Sequence, residues 1–349
     1  MRKFVLFSLI FTIFLVVISY LSNLFGFKQF ISPVPESTYL IMDMPPEFGA
    51  WISYWGEDLA NESLDRNTVL KSVSPVWYKL DEYSDLVKND QTKEVEIIQH
   101  TKDKKILIIP SISNDLDGTR ISKLLESKDK ITKFIQTLGK ITDTEVYAGV
   151  DLDLETIEEN QKDAFSLFVD QVAKVVHQKN KALSVTVHSK TGKNDWEGSL
   201  GQDWKKLAES ADEIRIMVYD YHNSATSPGS ITPNNYLKDV VDYALDQIPL
   251  EKIVIALPLY GYDWGGEEVV SLIFEDIESL ANQFSADIKL EPRTHSKYFK
   301  YEIDGVDHEV WFEDKETLEK KIYLARSKGI NKFYFWKLGG EDRRVWEIN

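Results

Sequence analysis

The chain contains no cysteine, so neither a disulfide framework nor a thiolate metal site supports its fold. Basic residues are also the minority: 41 Lys and Arg stand against 57 Asp and Glu, a formal net charge of -16. Such a charge repels polyphosphates, and nucleic acid is therefore not an expected partner. The six histidines never occur at the four-residue spacing of helical metal ligands, so we expect neither a metal nor another cofactor.

Charged residues are absent from Phe4 to Phe27, directly after Arg2 and Lys3. This run is long enough to cross a bilayer as a helix, and it does not end in the small residues of a signal-cleavage site. We predict that residues 1–30 form a membrane anchor, with a cleaved secretory signal as the alternative, and that residues 31–47 form a linker. The two early cations predict a cytoplasmic N-terminus and an extracytoplasmic remainder.

From Phe48 onward, short β-branched or aromatic runs alternate with amphipathic helical stretches, which predicts a parallel sheet with helical crossovers. Eight such units predict a closed (β/α)8 TIM barrel over residues 48–349, with a small α+β insertion at about 265–313 between strands seven and eight. An open doubly wound sheet is the alternative, but no glycine-rich phosphate turn follows the first strand. The predicted strands are 48–54, 70–77, 105–111, 146–155, 182–189, 213–220, 252–259 and 331–337.

Three acids alternate with leucines on the fourth predicted strand: Asp151, Asp153 and Glu155. Side chains two residues apart share one face of a strand, so the acids would point into the barrel while the leucines face the helices. Burial and mutual repulsion would raise the pKa of at least one carboxyl group, as a proton donor near neutral pH requires. Glu155 lies nearest the C-terminal rim, where barrel active sites form. The alternative is an edge strand whose acidic face is solvated.

The segment YAGVDLDLE resembles the strand-four signature D-G-x-D-x-D-x-E of the family 18 glycoside hydrolases, the chitinase-like barrels. IMVYDYH resembles the strand-six motif of that family through Met217, Tyr219 and Asp220. ALPLYGYDW resembles its strand-seven segment, and FYFWKLGGED its strand-eight ending. The resemblance covers about residues 48–342. Two positions depart from the pattern: the first aspartate of the signature is Ala148 here, and the residue before the glutamate is Leu154.

The resemblance implies substrate-assisted hydrolysis, in which the 2-acetamido group of the substrate attacks the anomeric carbon. Glu155 would act as acid and base, Asp153 would orient the acetamido N–H, and Asp151 would share protons behind it. Tyr219 would bind the acetamido oxygen, with Asp220, Met217, Tyr260 and Trp336 around the same sugar. Trp77 is a candidate sugar platform by its position near a strand end. Tyr219 and Trp336 could instead fill the core, and Asp220 could cap a helix.

The resemblance implies a glycosidase that cleaves β-1,4 bonds of an N-acetylglucosamine-containing glycan; the predicted anchor places it outside the cell, and we expect a monomer. Within the family, the stretch from YDYH to LPLYGYDW looks most like the bacterial branch associated with peptidoglycan and spore-cortex breakdown. A non-catalytic glycan-binding protein of the same fold is the alternative, and a hydrolase acting on another sugar is a third possibility. The sequence leaves chitin-like and peptidoglycan substrates both open.

Overall fold

The computed structural model describes residues 44–90, 92–266 and 268–349. The predicted anchor or signal at residues 1–30 and most of the predicted linker lie outside these ranges. Within them, no helix is both long enough and apolar enough to cross a membrane.

Parallel strands form a closed ring, as predicted for a (β/α)8 barrel. The ring strands are β1 (Glu47–Ile52), β2 (Leu70–Pro75), β5 (Leu107–Ile108), β6 (Ser111–Ser113), β7 (Gly149–Asp153), β8 (Ala182–His188), β9 (Glu213–Met217), β10 (Ile253–Pro258) and β16 (Lys332–Trp336). They follow one another in the order β6, β7, β8, β9, β10, β16, β1, β2, β5. β5 and β6 are two halves of one strand interrupted at Ile109 and Pro110, so pairing of β2 with β5 and of β6 with β7 closes the ring.

Helices surround the ring and cover the apolar faces of the strands. Leu152 and Leu154 are fully buried in the same hydrophobic core as Phe165 and Phe168 of the helix that follows, so the leucines of the acidic strand do face the helix layer. The helices are α1 (Glu57–Arg66), α2 (Glu94–Lys102), α3 (Gly118–Leu125), α4 (Lys128–Thr142), α5 (Lys162–Gln178), α6 (Trp204–Ser210), α7 (Asn234–Gln247), α8 (Phe274–Gln283) and α9 (Lys315–Arg326).

The insertion between β10 and β16 is a five-stranded antiparallel sheet with helix α8, and it begins at Gly261 rather than at about residue 265. It has a small core of its own around Ile277 and Phe299. Where the chain returns to the barrel, Glu313 forms a fully buried ion pair of 2.8 Å with Lys321 of α9. Its strands are β11 (Gly261–Trp264), β12 (Val270–Leu272), β13 (Lys289–Glu291), β14 (Ser296–Ile303) and β15 (Val306–Phe312).

A hairpin that the sequence pattern did not predict follows the second barrel strand. It consists of β3 (Tyr78–Leu80) and β4 (Leu86–Lys88), and β3 pairs in parallel with β6. The second predicted strand, 70–77, therefore ends at Pro75, because a proline cannot donate to the ladder and the chain turns towards the hairpin.

Candidate active site

Asp151 lies inside the barrel and is fully buried. Both of its carboxyl oxygens accept hydrogen bonds, and Nη1 of the fully buried Arg215 lies 3.5 Å from Oδ1. These contacts stabilise a negative charge in a place where an unpaired one would be costly. The donors are Trp51 Nε1 at 3.0 Å, Ser111 Oγ at 2.7 Å, Ser184 Oγ at 2.7 Å and Thr186 Oγ1 at 3.1 Å.

Asp153 points the same way but lacks comparable partners. Its side chain is buried, and within the described part of the chain no group hydrogen-bonds its Oδ1. Burial raises the pKa of Asp153 well above its usual value; the charges of Glu155 and Asp151 raise it further, and Arg215 opposes them. Asp153 is therefore suited to hold a proton, as predicted for one member of the acidic trio.

Glu155 lies two residues beyond Asp153, the last residue of β7, at the C-terminal rim. The Asn114 side chain fixes its backbone: Oδ1 accepts from Glu155 N–H at 2.9 Å, and Nδ2 donates to Glu155 C=O at 2.8 Å. The Glu155 side chain is 12% exposed and lines the open cavity. Its Oε2 lies 3.1 Å from Nε2 of His188, at ion-pair distance.

Met217 is the last residue of β9, and Tyr219 lies two residues beyond it, close to the acidic trio. Both line the cavity that Glu155 enters. Burial, together with the nearby charges of Asp153 and Glu155, raises the pKa of Tyr219 well above its usual value. The phenol accordingly stays neutral and can donate a hydrogen bond to a ligand oxygen.

Asp220 adopts the left-handed backbone conformation, with φ of 57°. Its Oδ1 accepts hydrogen bonds from the hydroxyls of Tyr260 and, at 3.0 Å, Tyr262. Burial raises the pKa of Asp220, although these two hydrogen bonds act in the opposite direction. Asp220 is not the cap of the next helix, which begins after Pro233, so the helix-cap alternative is wrong.

Two neighbouring cavities meet at Asp220. The larger, of about 740 Å³, contains Glu155, Tyr219 and the rim loops after β8 and β9. The smaller, of about 100 Å³, is lined by Trp336, Tyr260 and the start of the insertion. The predicted strand-four, strand-six, strand-seven and strand-eight residues therefore converge on one rim. Within the described ranges, no group of three or more acidic or histidine side chains is arranged to hold a metal ion.

Trp77 does not belong to this rim, which corrects its assignment as a sugar platform. Its side chain is fully buried, packs against Tyr147 and donates from Nε1 to Glu57 at 2.8 Å. Since β2 ends two residues earlier, the ring turns into the core behind the hairpin. Trp264 and Trp311 of the insertion are buried as well.

Sequence reasoning missed several residues that hold the site together. Arg215 lies two and four residues before Met217 and Tyr219, so the alternation that placed the acids inside the barrel would have placed this cation beside them. Asn114 and Gln202 come from loops, where no regular alternation of side chains indicates which way a residue points. Trp196, 53% exposed on the cavity wall, carries no local signal either.

The fold and the site define a glycosidase of the chitinase-like barrel type. The family model for glycosyl hydrolases family 18 matches residues 53–341, and the chain belongs to this family. The resemblance seen in the sequence is thereby confirmed.

Comparison with individual proteins shows which relatives this chain is similar to. The chain is 26% identical to the uncharacterized glycosylase YvbX of Bacillus subtilis over 86% of this chain and 90% of YvbX. It is 27% identical to a cortical fragment-lytic enzyme of Bacillus anthracis over 70% of this chain and 58% of that enzyme. The spore cortex-lytic enzyme SleL of Bacillus cereus superposes with a TM-score of 0.80 at 23% identity, covering 87% of this chain and 73% of SleL.

Proposed function

We propose that this glycosidase hydrolyses β-1,4 linkages on the reducing side of N-acetylglucosamine by a substrate-assisted, retaining mechanism. The observation that carries the proposal is the state of Asp153, buried close to Asp151 and Glu155 with an oxygen that no described residue hydrogen-bonds. A carboxyl group in this setting retains a proton and can exchange it with a neighbour as charge develops nearby.

Glu155 is the acid and base in this mechanism. It donates its proton to the glycosidic oxygen while the acetamido carbonyl oxygen of the substrate attacks the anomeric carbon, so the bond to the leaving sugar breaks as a cyclic oxazolinium ion forms. The resulting carboxylate then takes a proton from water, and the water oxygen opens the ring at the same carbon. Two inversions give net retention of configuration.

The neighbours of Glu155 hold the acetamido group in place. Asp153 accepts from its N–H and stabilises the positive charge of the oxazolinium ion, while the neutral hydroxyl of Tyr219 donates to its oxygen. Asp151, supplied with donors on both oxygens, sits behind Asp153 and takes part in the proton sharing. Asp220, Tyr260, Met217 and Trp336 surround the same sugar, with the indole of Trp336 as an apolar floor for its C–H groups.

The substrate we favour is peptidoglycan of the spore-cortex type. The support is the similarity to proteins described as cortical fragment-lytic and spore cortex-lytic enzymes, together with the YDYH to LPLYGYDW stretch noted above. We also propose that the barrel acts outside the cytoplasm, either tethered through residues 1–30 or secreted after their cleavage. Mass spectrometry of the protein recovered from membrane and from medium identifies the first residue of the mature chain. This measurement distinguishes a retained anchor from a cleaved signal.

The decisive experiment is digestion of purified peptidoglycan and of chitin oligomers by the full-length protein, with product ends identified by mass. Glu155→Gln should lower turnover by about 10²- to 10⁴-fold, the contribution of a positioned acid. The exposed Glu159→Gln serves as the matched control and should behave as wild type.

Two results would contradict the mechanism. Equal, negligible turnover by wild type and Glu155→Gln with glycan binding intact would indicate the non-catalytic, glycan-binding alternative. Turnover that is insensitive to oxazoline-type inhibitors would indicate a hydrolase that does not use an acetamido group.

A further inference from the structure

His188, the last residue of β8, is placed directly against the proposed acid. Its Nε2 lies 3.1 Å from Oε2 of Glu155, and the two side chains are 20% and 12% exposed. The contact is a close approach of two ionisable groups: Nε2 makes no hydrogen bond of normal geometry with any described residue, Glu155 included. The imidazole and the carboxyl group therefore face each other at ion-pair distance at the mouth of the barrel.

This juxtaposition is held from both strands. Gln202, fully buried, accepts from His188 N–H at 2.9 Å and donates to Leu154 C=O at 3.1 Å, so one amide ties the end of β8 to the residue before Glu155. Asn114 fixes the Glu155 backbone from the other side. Two fully buried loop amides, those of Asn114 and Gln202, thus fix the backbone on both sides of this approach.

The imidazole ring is also held in orientation. Trp196 packs edge to face against it, with ring centroids 4.6 Å apart and an interplanar angle of 76°. The indole itself lies over Gly198, where an added Cβ would come within 2.2 Å of the ring. Any residue other than glycine at 198 would push Trp196 away and free the imidazole to turn.

We propose that His188 is a positioning residue that controls the protonation of Glu155. As an imidazolium it places a positive charge 3.1 Å from the Glu155 carboxyl group and favours the ionised form of that group. The same pair stabilises the carboxylate that must form after the proton has been donated. This inference rests on the proposed function of Glu155 and adds a partner to it.

Other charges around the same cavity act on the pair but do not touch the imidazole in the way Glu155 does. Asp220 is the next acid within electrostatic reach of His188, and it is engaged by two tyrosine hydroxyls. The remaining titratable groups on the cavity wall are Tyr219 and Tyr221 after β9, Lys193 and Asp195 on the loop after His188, and Tyr236 and Asp239 on α7.

The first test is the pH dependence of kcat/KM on chitin oligomers for the full-length protein and His188→Gln. Because glutamine keeps the polarity and loses the cation, the alkaline limb of the profile should move to higher pH by about one unit. His177→Gln is the matched control, since His177 pairs with Asp212 at 3.0 Å away from the cavity residues and should leave the profile unchanged. A His188→Gln profile that superposes on that of wild type would overturn the proposal.

The second test does not depend on turnover. NMR titration of the histidine side chains, with the His188 signal assigned by its loss in His188→Gln, should show a lower titration midpoint in Glu155→Gln than in wild type, because the partner carboxylate is gone. An unchanged midpoint would refute the pairing. A shifted midpoint in a protein that hydrolyses no glycan would uphold the pairing and refute the proposed function instead.

Discussion

Asp153 makes the active site costly to fold. Because the pKa of Asp153 is raised in the folded state, the folded protein binds a proton that the unfolded chain releases. The stabilisation from this bound proton is complete below the unfolded pKa of about 3.9 and is lost as pH rises through the folded pKa. At neutral pH the folded protein must either keep that proton or bear a buried, poorly partnered charge.

Asp153→Asn should therefore unfold at higher urea concentration than wild type at neutral pH, and the difference should shrink towards pH 4, about where the unfolded carboxyl group titrates. The same variant should lose turnover, because an amide cannot exchange the proton. The exposed Asp246→Asn is the control. A variant less stable than wild type at neutral pH would show that Asp153 is not strained by its neighbours.

Arg215 is the compensating cation of the barrel interior. It is fully buried, donates to Ser74 Oγ at 2.7 Å and lies over the ring of Tyr334 at 3.8 Å, next to Asp151. Arg215→Met should lower the free energy of unfolding by about 3–5 kcal/mol, because it leaves Asp151 as a buried charge without its cation.

Urea denaturation measures this loss, and the double variant Asp151→Asn with Arg215→Met supplies its control. If the charge pair carries the effect, the double variant should lose less than the sum of the two single variants. Strict additivity would mean that Arg215 stabilises the barrel through packing alone.

At the scale of elements, the ends of neighbouring strands are fixed by loop amides. Asn114 bridges the loop after β6 to both backbone groups of Glu155, two residues beyond the end of β7. Removing this bridge leaves the strand end less constrained without replacing any residue that contacts the proposed substrate.

Asn114→Ala should therefore lower kcat about tenfold or more while KM changes little, since a small displacement of the acid is felt in the transition state. Loss of its buried hydrogen bonds should cost about 1–3 kcal/mol of stability. Asn331→Ala, which removes a surface hydrogen bond to Pro45 C=O, is the matched control for kinetics and thermal unfolding. An unchanged kcat would mean that β7 alone holds Glu155.

Most of the barrel could be predicted because its strands are short apolar runs separated by amphipathic helices. The pattern located each barrel strand to within a few residues but could not show that Pro110 divides the third strand or that a hairpin follows the second. Both features depend on which neighbouring strand has unpaired backbone groups. The spacing of apolar residues along the sequence does not contain that information.

The site could be predicted where side-chain alternation or a motif applied. Asp151, Asp153 and Tyr219 lie where the alternation and the motif place them, whereas Trp77 was misplaced because the assumed end of its strand was two residues too late. The loop residues Asn114 and Gln202 had no comparable signal, because a loop side chain is directed by tertiary contacts.

For the molecule as a whole, the charge of -16 bears on the choice of glycan. Peptidoglycan carries free carboxylates, whereas chitin oligomers are neutral, so the protein repels the first at long range and not the second. Dissolved salt shortens the reach of this repulsion to about 8 Å at physiological ionic strength.

Raising the ionic strength from about 0.01 M to 0.15 M should therefore increase kcat/KM on carboxylate-bearing glycan severalfold and leave chitin oligomers nearly unaffected. Initial rates on soluble fragments of each glycan measure the effect, and the neutral oligomer is the internal control. Equal salt responses on both glycans would show that local groups in the cavity outweigh the overall charge.

The third barrel strand is interrupted between β5 and β6, and we call this interruption at residues 109–110 the seam of the barrel. Proline at 110 leaves one rung of the ladder without a donor, and the two halves beside it are only two and three residues long. The seam also adjoins the acidic network, since Asp151 N–H donates to Pro110 C=O at 3.0 Å and Ser111 Oγ holds the Asp151 carboxylate. Amide protons at the seam should exchange with solvent before those of β8 to β10. On heating, the enzyme should therefore lose activity before the whole protein unfolds.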